Sequence, residues 1–373
     1  MSSTKPFLKH ATWIEIDLGA IESNVRYFVE NTSARVMAVV KANAYGHGSV
    51  EAAKAAIRGG ATWLGVARSE EALELRRSGF QVPILIMGLT PYRQMPEVIA
   101  AKVSMTVWDL EQVRVAAAAA TNTVEHARLH LKVDTGMSRL GVQPEEAVEM
   151  GRRIVQYPTV ALEGVFTHFA RADERNRAPT ETQEQKLQQV LVGLDAAGLR
   201  PSLVHAANSA AALMHPSAHF DMVRVGISIY GLHPSPDCLL PASFWPALSW
   251  KAQLSQVKIL PAGRGLSYGH SYVTRAREMI GTVPVGYADG FRRLEGNVVL
   301  VGGRRVPVVG RVCMDQILVQ LDEVPTARAG DEVVIIGEQG KERITAEEVA
   351  TRWGTINYEV TSGLAARVPR LFT

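Results

Sequence analysis

Up to about Tyr230, apolar residues fall into short runs rich in Val, Ile and Leu, separated by longer stretches in which charged and apolar residues alternate with a helical period. The apolar runs predict strands at Val36–Val40, Thr62–Val66, Pro83–Met87, Val103–Trp108, Ala127–Val133, Val160–His168, Ser202–Ala206 and Met222–Tyr230. The stretches between them predict helices, among them Ser49–Arg58, Ser69–Arg77, Asp109–Thr121, Pro144–Gln156 and Thr180–Ala197. Eight strand–helix units in roughly 200–250 residues favour a closed parallel barrel over an open doubly wound sheet.

The pattern changes after Leu232, where His233–Pro236 opens an irregular segment that reaches Pro246. Beyond this segment, β-rich runs alternate with Gly and Pro turns. These runs are Ala247–Leu260, Met279–Val285, Asn297–Val301, Arg305–Val309, Gln316–Leu321 and Glu332–Ile336, followed by a helix at Thr345–Trp353. The sequence therefore predicts an α/β protein, with an N-terminal (β/α)8 TIM-type barrel over residues 1–240 and a mostly antiparallel C-terminal β domain over residues 241–373.

Composition narrows the possible functions. Hydrophobic residues make up 47% of the 373 and charged residues 21%, which is ordinary for a globular protein. The net charge of +3 comes from scattered basic residues, so no nucleic-acid or anionic-membrane surface is indicated. Met1–Trp13 lacks the apolar core of a signal peptide, and no apolar run could span a bilayer, so we expect a cytoplasmic protein. Cys238 and Cys313 show neither a disulfide nor a metal spacing.

Lys41 is the first candidate for chemistry, because it ends the strand Val36–Val40 and precedes a loop of small residues. An amine that is poorly hydrated at a strand end loses its proton easily and can attack a carbonyl group. A lone lysine at such a position more often extends its ammonium group into water. The rest of the chain favours the chemical role.

Further candidate residues lie near the carboxyl ends of other predicted strands or in the loops that follow, and in a β/α barrel such residues meet at one rim. They are Lys132, Asp134, Arg139, His168, Asn208, Ser209, Arg224, Gly226 and Ile227. Arg224 lies inside an apolar strand and so requires a partner. Asn208-Ser209 is an ordinary helix N-cap that could also face a phosphate. Each of the others has an ordinary role open to it: His168 in the core, Arg139 on the surface, Lys132 paired with Asp134.

In the β domain, Tyr268 stands on a Gly-flanked loop, where it could serve in acid–base chemistry or simply pack. A group of histidines, His205, His215, His219 and His233, lacks the spacing of a metal site. We interpret these histidines as structural, and we expect no metal.

Motifs in a fixed order carry a resemblance to a known family. The motifs are VVKANAYGHG, LKVDTGMSRLG, THFARAD, NSAA, RVGISIYG, LSYGH, VPVGYADG and RVCMDQ. Together they cover nearly the whole chain, which closely resembles the alanine racemases. That family consists of pyridoxal 5′-phosphate enzymes built from an N-terminal β/α barrel and a C-terminal β domain.

The resemblance implies catalytic roles. Lys41 would hold the cofactor as an imine and transfer protons on one face of the substrate, while Tyr268 from the partner subunit would act on the opposite face, supported by His168. Arg139 would contact the cofactor's phenolic oxygen and the substrate carboxylate. Met314 would offer its backbone N–H to that carboxylate across a homodimer. Lys132 matches a position that is carboxylated in some members.

The resemblance also implies cofactor-binding roles. Arg224 would face the pyridine nitrogen. The phosphate would be bound at or beside Tyr45, Asn208, Ser209, Gly226, Ile227 and Tyr358. The implied reaction interconverts L-alanine and D-alanine and supplies D-alanine for peptidoglycan.

Two other functions compete with this one. A pyridoxal-phosphate-dependent amino-acid decarboxylase of the same architecture typically pairs the ring nitrogen with glutamate, and Arg224 argues against it. A non-catalytic pyridoxal-phosphate carrier would consist of a barrel alone, whereas 141 residues follow Leu232 here, enough for a second domain.

Overall fold

The computed structural model describes residues 9–121, 123 and 125–373. The prediction that no signal peptide is present depends on Met1–Trp13, and residues 1–8 of that segment lie outside the described residues. The described part of the chain divides into two compact units. One is Gly19–Trp245, and the other joins the start of the chain, up to Leu18, to Pro246–Thr373.

The unit Gly19–Trp245 is a parallel barrel. Its strands within the described residues are β2 Arg35–Val39, β3 Trp63–Val66, β4 Ile84–Ile86, β5 Ser104–Val107, β6 Ala127–Lys132, β7 Val160–Phe166, β8 Leu203–His205 and β9 Met222–Val225. Each pairs in parallel with the next from β2 to β8, and β9 pairs with β2. The backbone N–H groups of Asp221 and Arg224 donate to the carbonyls of Val204 and Ala207, so β9 also meets β8. The predicted TIM-type barrel is confirmed.

Helices alternate with these strands. They are α1 Leu18–Glu30, α2 Ser49–Arg58, α3 Ser69–Arg77, α4 Met95–Ala100, α5 Leu110–Thr121, α6 Ala147–Ile154, α7 Ala178–Ala196 and α8 Ser209–Met214. A cluster of fully or nearly fully buried residues fills one layer of the barrel interior: Met37, Trp63, Leu85, Leu203 and Met222. Because the strands are parallel, all their carboxyl ends lie at one rim, which brings the polar residues that follow them together.

The second unit contains a mostly antiparallel sheet and, apart from it, a short hairpin. The strands of the sheet are β1 Thr12–Ile16, β10 Leu248–Gln253, β11 Gln256–Leu260, β14 Glu278–Val283, β15 Val298–Val301, β16 Arg304–Val309, β17 Ile317–Gln320, β18 Glu332–Gln339, β19 Glu342–Ile344 and β20 Arg370–Phe372. The hairpin consists of β12 Gly265–Leu266 and β13 Tyr272–Val273, which pair with each other. Two helices complete the described part of this unit, α9 Ala346–Trp353 and α10 Asn357–Ser362. The prediction that the C-terminal part of the chain folds as a mostly antiparallel β domain is confirmed.

Three local predictions need correction. Residues 1–240 were assigned to the barrel, but β1 pairs with β10 and β20 in the other unit, where Trp13 and Ile14 are fully buried. The run Met222–Tyr230 is not one strand, because β9 ends at Val225 and a 3-10 helix, Ile227–Tyr230, follows. The run Ala247–Leu260 contains two strands, since Leu254 and Ser255 separate β10 from β11.

Within residues 9–373, leaving aside 122 and 124, no helix combines the length and apolarity that crossing a membrane requires.

Candidate active site

The chain forms an unusual turn directly after Lys41. Ala42, Asn43, Ala44 and Tyr45 all have φ between 53° and 54°, so four consecutive residues other than glycine adopt the left-handed helical conformation. Side chains at such φ values cost about 1–2 kcal/mol per residue, because Cβ crowds the next carbonyl oxygen. Strain of this kind persists only where surrounding contacts fix it, and it concentrates at functional sites.

Side chains on neighbouring elements fix this turn. Glu71, in α3, accepts hydrogen bonds from the backbone N–H of Ala42 at 2.6 Å and of Ala67 at 2.8 Å. Its carboxylate thereby joins the segment after β2 to the segment after β3. The side-chain oxygen of Asn43 accepts a bond from the N–H of Ser49 at 2.9 Å, which ties the turn to the first residue of α2.

The amine of Lys41 lies in a positive environment. Burial lowers the pKa of Lys41 below its ordinary value, and the positive charges of Arg139 and Arg224 lower it further, against the opposing effect of Glu71. Its Nζ stands 5.9 Å from the centre of the Tyr45 ring. A larger fraction of this amine is therefore neutral, and hence nucleophilic, at a given pH than that of an ordinary lysine.

Arg224 is more deeply buried than Lys132, with 2% of its surface exposed. Its guanidinium donates to Nδ1 of His205 at 3.0 Å, Nδ1 of His168 at 3.1 Å, and the carbonyl of Thr167 at 2.9 Å. Burial lowers the pKa of Arg224 to about 9, so the group remains cationic at neutral pH. Neutral acceptors thus provide the partner that an arginine in an apolar strand requires.

His168 contacts Arg224 and is held neutral. Burial lowers the pKa of His168 well below its ordinary value, and the nearby charges of Arg224, Lys132 and Arg139 add to the effect. Because an arginine can only donate, Nδ1 of His168 must be the acceptor, which places the hydrogen of the neutral ring on Nε2.

Arg139 stands on a tight loop after β6. Oδ1 of Asp134 accepts the N–H groups of Gly136, Met137 and Ser138, each at 3.0 Å, and so shapes the loop that carries the exposed Arg139. The carboxylate of Asp134 therefore binds backbone N–H groups of its own loop.

Lys132, for which a pairing with Asp134 was one possible role, instead places its Nζ 4.4 Å from the centre of the Phe166 ring. Burial lowers the pKa of Lys132 well below its ordinary value, with Arg224 and Arg139 contributing. The rim thus concentrates cationic side chains and suits an anionic ligand.

A polar corner lies between β9 and α8. Oγ of Ser209 accepts the N–H of Gly226 at 2.9 Å, and the side chain of Asn208 caps α8 by accepting the N–H of Ala211 at 3.0 Å. A Cβ atom at Gly226 would lie 2.5 Å from the hydroxyl of Tyr45, so only glycine fits there. Gly226 precedes the 3-10 helix that starts at Ile227, which gives the corner two helix N-termini.

The remaining candidates belong to the sheet unit. Tyr268 is 68% exposed and Met314 is 53% exposed. The residue before Tyr268, Ser267, donates its hydroxyl to the carbonyl of Arg311 at 2.6 Å, and the carbonyl of Met314 accepts the N–H of Ala288 at 3.0 Å. Hydrogen bonds thus fix the backbone of both loops.

Tyr358 lies half-buried in α10, where its carbonyl accepts the hydroxyl of Ser362 at 2.6 Å. The roles of Tyr358, Tyr268 and Met314 remain predictions.

Two residues that shape the rim were not identified from the sequence. His205 was interpreted as structural together with His215, His219 and His233, yet it accepts a hydrogen bond from Arg224. Glu71 resembles any other glutamate in the first turn of a helix. The signal that could have found His205 is its place at the end of a strand adjacent to that of Arg224. Among the described residues, no cluster of His, Cys, Asp or Glu side chains could hold a metal ion.

Comparison with known proteins gives a consistent result. The family model for the N-terminal domain of alanine racemase matches residues 16–234, and the model for the C-terminal domain matches residues 247–372. The alanine racemase of Symbiobacterium thermophilum is 48% identical over 364 residues, covering 97% of each chain. Alanine racemase 1 of Bacillus subtilis is 44% identical over 377 residues, covering 99% of this chain and 95% of the relative.

Solved structures agree closely with this fold. The crystal structure of alanine racemase from E. faecalis superposes with a TM-score of 0.94 at 42% identity, covering 98% of this chain and 99% of that one. The structure of alanine racemase from Bacillus anthracis with bound L-Ala-P gives a TM-score of 0.93 at 42% identity, covering 99% of this chain and 96% of that one.

Proposed function

Since this chain belongs to the alanine racemase family, we propose that it interconverts L-alanine and D-alanine with pyridoxal 5′-phosphate as cofactor. The observation that supports this most strongly is the Lys41 amine, whose pKa is lowered by burial and by neighbouring arginines at the carboxyl end of a barrel strand. A neutral amine surrounded by cations suits an anionic aldehyde, because it can attack the carbonyl carbon while the cations attract the phosphate.

The rim fits this cofactor. The corner formed by Ser209, Gly226 and Ile227 offers a hydroxyl and backbone N–H groups at two helix N-termini, as a phosphate requires. The side chains of Tyr45 and Asn208 lie at or beside the corner, and we assign Tyr358 to the same phosphate. When bound, the cofactor withdraws electrons from an attached amino acid and so makes its Cα–H acidic.

Arg224 would face the ring nitrogen. Its bonds to His205, His168 and backbone carbonyls leave Nε–H and one hydrogen of Nη1 without another partner among the described residues. A guanidinium keeps its own proton at neutral pH and therefore donates a hydrogen bond to the ring nitrogen without protonating it.

Racemisation requires a proton to leave Cα on one face and another to arrive on the opposite face. We assign the first face to Nζ of Lys41 and the second to the hydroxyl of Tyr268 from a second copy of the chain, with His168 supporting that tyrosine. Arg139 and the backbone N–H of Met314, also from the second copy, would bind the substrate carboxylate. The active form would then be a homodimer.

The two competing functions are less well supported. A decarboxylase that pairs the ring nitrogen with glutamate does not fit the place that we assign to Arg224, whose guanidinium donates to His205 and His168. A carrier without a catalytic partner domain does not account for the sheet unit Pro246–Thr373. We further propose that the product supplies D-alanine for peptidoglycan and that the enzyme works in the cytoplasm.

The test is chiral analysis of alanine after incubation of the purified protein with pyridoxal 5′-phosphate and L-alanine in D₂O. We expect D-alanine to form and deuterium to enter at Cα. Tyr268→Phe should bind the cofactor with an unchanged absorption spectrum, yet racemise slower by on the order of 10²–10⁴, the usual contribution of one acid–base group.

The same variant should still exchange the Cα proton of one enantiomer, because Lys41 remains. Tyr92→Phe, an exposed tyrosine of the barrel unit, is the matched control and should behave like the unmodified protein. Failure of the unmodified protein to form D-alanine would overturn the proposed activity.

A further inference from the structure

A chain of hydrogen bonds runs from Arg224 through the barrel interior, away from the rim. Nη1 of Arg224 lies 3.0 Å from Nδ1 of His205, and Nε2 of His205 lies 2.9 Å from Nδ1 of His130. Nε2 of His130 lies 3.0 Å from Oε2 of Glu163. Four polar side chains from β9, β8, β6 and β7 are thus connected in sequence across the inside of the barrel.

The two ends of this chain fix the direction of every bond in it. The guanidinium of Arg224 has only donors, so Nδ1 of His205 accepts, and the hydrogen of the neutral ring must be on Nε2. That hydrogen goes to Nδ1 of His130, which places the hydrogen of His130 on Nε2, pointing at Glu163. An ionised carboxylate has only acceptors, so the arrangement is satisfied at both ends.

Packing around the two rings suits this arrangement. His130 and His205 are both fully buried. The His205 ring stacks on Phe166 with 4.6 Å between centroids and 10° between planes. A Cβ atom at residue 164 would lie 2.4 Å from Nδ1 of His130, so Gly164 is what allows the His130 ring to reach across β7. Glycine inside a strand usually marks such a close approach.

The carboxylate of Glu163 is the last acceptor in this series of hydrogen bonds. Its side chain is 20% exposed, and the hydroxyl of Ser104 also donates to Oε2. Burial acts to raise the pKa of Glu163, but the hydrogen bonds that its carboxylate accepts from His130 and Ser104 lower the pKa overall, so the carboxylate is ionised at neutral pH. A protonated Glu163 would instead donate to His130, reverse both rings, and turn Nδ1–H of His205 against the donors of Arg224.

We propose that Glu163 is a positioning residue for Arg224, acting through the tautomers of His130 and His205. By holding both rings with the hydrogen on Nε2, it keeps an acceptor aimed at the guanidinium and thereby sets the guanidinium's orientation at the rim. This inference rests on the proposed function only for what Arg224 does there. The chain of bonds itself does not depend on that function.

The test is ¹⁵N NMR of the holoenzyme with labelled histidine, which distinguishes a protonated from an unprotonated ring nitrogen. In the unmodified protein we expect His130 and His205 to carry hydrogen on Nε2 and not on Nδ1. His205→Phe and His130→Phe, made singly, assign the signals. Hydrogen on Nδ1 of either ring in the unmodified protein would overturn the proposal without any further variant.

Three variants separate positioning from packing. Glu163→Leu removes the acceptor, and we expect His130 and His205 to populate the Nδ1–H form while kcat falls by roughly tenfold to a hundredfold, because a displacement of about 1 Å at a reacting centre can cost 10² in rate. KM should change less than kcat. Glu163→Gln keeps an oxygen that can accept from His130, so it should retain the tautomers and most of the rate.

Ser104→Ala is the matched control, since it removes the other hydrogen bond to the same carboxylate but leaves the chain to Arg224 intact. It should change neither tautomers nor kcat. Unchanged tautomers and rate in Glu163→Leu, or equal losses in Glu163→Leu and Ser104→Ala, would contradict the proposal. Because the tautomers are read without substrate, a protein that shows them but forms no D-alanine would refute the racemase function alone.

Discussion

At the scale of single residues, positive side chains outnumber negative ones at the rim. Lys41, Lys132, Arg139 and Arg224 interact electrostatically, and the pKa of Lys41 and that of Lys132 are lowered by burial together with the nearby arginines. Among the described residues, the guanidinium of Arg224 donates its hydrogen bonds to neutral histidines and backbone carbonyls and not to carboxylates. This arrangement is costly in the free protein and is useful only if an anion binds there.

Arg139 and Glu71 have opposite effects on the pKa of Lys41, so variants of the two residues should have opposite effects on its reactivity. Arg139 lowers the pKa of Lys41 and Glu71 raises it. The amine reacts only when neutral, so Arg139→Gln should move the pH midpoint for imine formation with pyridoxal 5′-phosphate upward, and Glu71→Gln should move it downward. The measurement is the rate of borohydride-trapped labelling of Lys41 as a function of pH, followed by mass spectrometry.

Lys54 serves as the internal control in the same digest, because it is a half-exposed lysine paired with Glu51 on α2. The yield of labelled Lys54 should be the same in all three proteins. Midpoints of Lys41 that move in the same direction in both variants would show that general disturbance of the rim, and not charge, controls this amine.

At the scale of elements, the left-handed turn after β2 is the feature that sets the direction of Lys41. Right-handed helix is the default for L-residues, so a left-handed run of four requires contacts that hold it, among them the hydrogen bonds made by the side chains of Glu71 and Asn43. Gly46 and Gly48, which follow the turn, also have positive φ. Local sequence preference alone would not form this element.

Substitution by glycine should therefore stabilise the turn. Ala42 is exposed and has a φ of 53°, so Ala42→Gly should raise the free energy of unfolding by about 1 kcal/mol, after the greater entropy of glycine in the unfolded chain is taken into account. Ala118 is exposed within the right-handed helix α5, and Ala118→Gly should lower the free energy of unfolding by about 1 kcal/mol.

Urea unfolding of the two variants beside the unmodified protein gives the comparison, with the dependence on denaturant expected to be unchanged. The informative result is the opposite sign at two exposed alanines. If both variants lost stability by the same amount, Ala42 could not be in the left-handed conformation.

At the scale of the whole molecule, the proposed function combines Lys41 of one copy of the chain with Tyr268 of a second copy. If Tyr268 comes from a second copy, variants defective in different units should complement each other. Lys41→Ala and Tyr268→Phe should each lose nearly all of the activity, and unfolding and refolding them together should restore about a quarter of it, because half of the dimers are mixed and each has one intact site.

Separately refolded samples that are mixed afterwards provide the control, along with the molecular mass in solution. Sites built within one chain would give no recovery at any mixing ratio. A monomeric mass for an active protein would exclude the shared site directly.

Much of the fold could be predicted from the sequence, since burial in a parallel sheet demands continuous apolar runs. The predicted helices Ser49–Arg58 and Ser69–Arg77 agree with the structure at both ends, and Ala127–Val133 differs from β6 by one residue. Strand β1 was not predicted, because its five residues acquire their partner, β10, more than 230 positions away. Likewise, the apolar run from Met222 does not reveal that Gly226 turns the chain.

The amino-acid sequence by itself determined the barrel, the β domain and the residues that meet at the rim, because periodicity, strand order and the spaced motifs are local properties of the chain. Only the tertiary structure decided how those residues act. The left-handed turn of Lys41, the neutral acceptors around Arg224 and the bonds that lead from His205 to Glu163 depend on contacts between strands far apart in sequence. Tautomers and lowered pKa values follow from burial and neighbouring charge, which no single segment of sequence specifies.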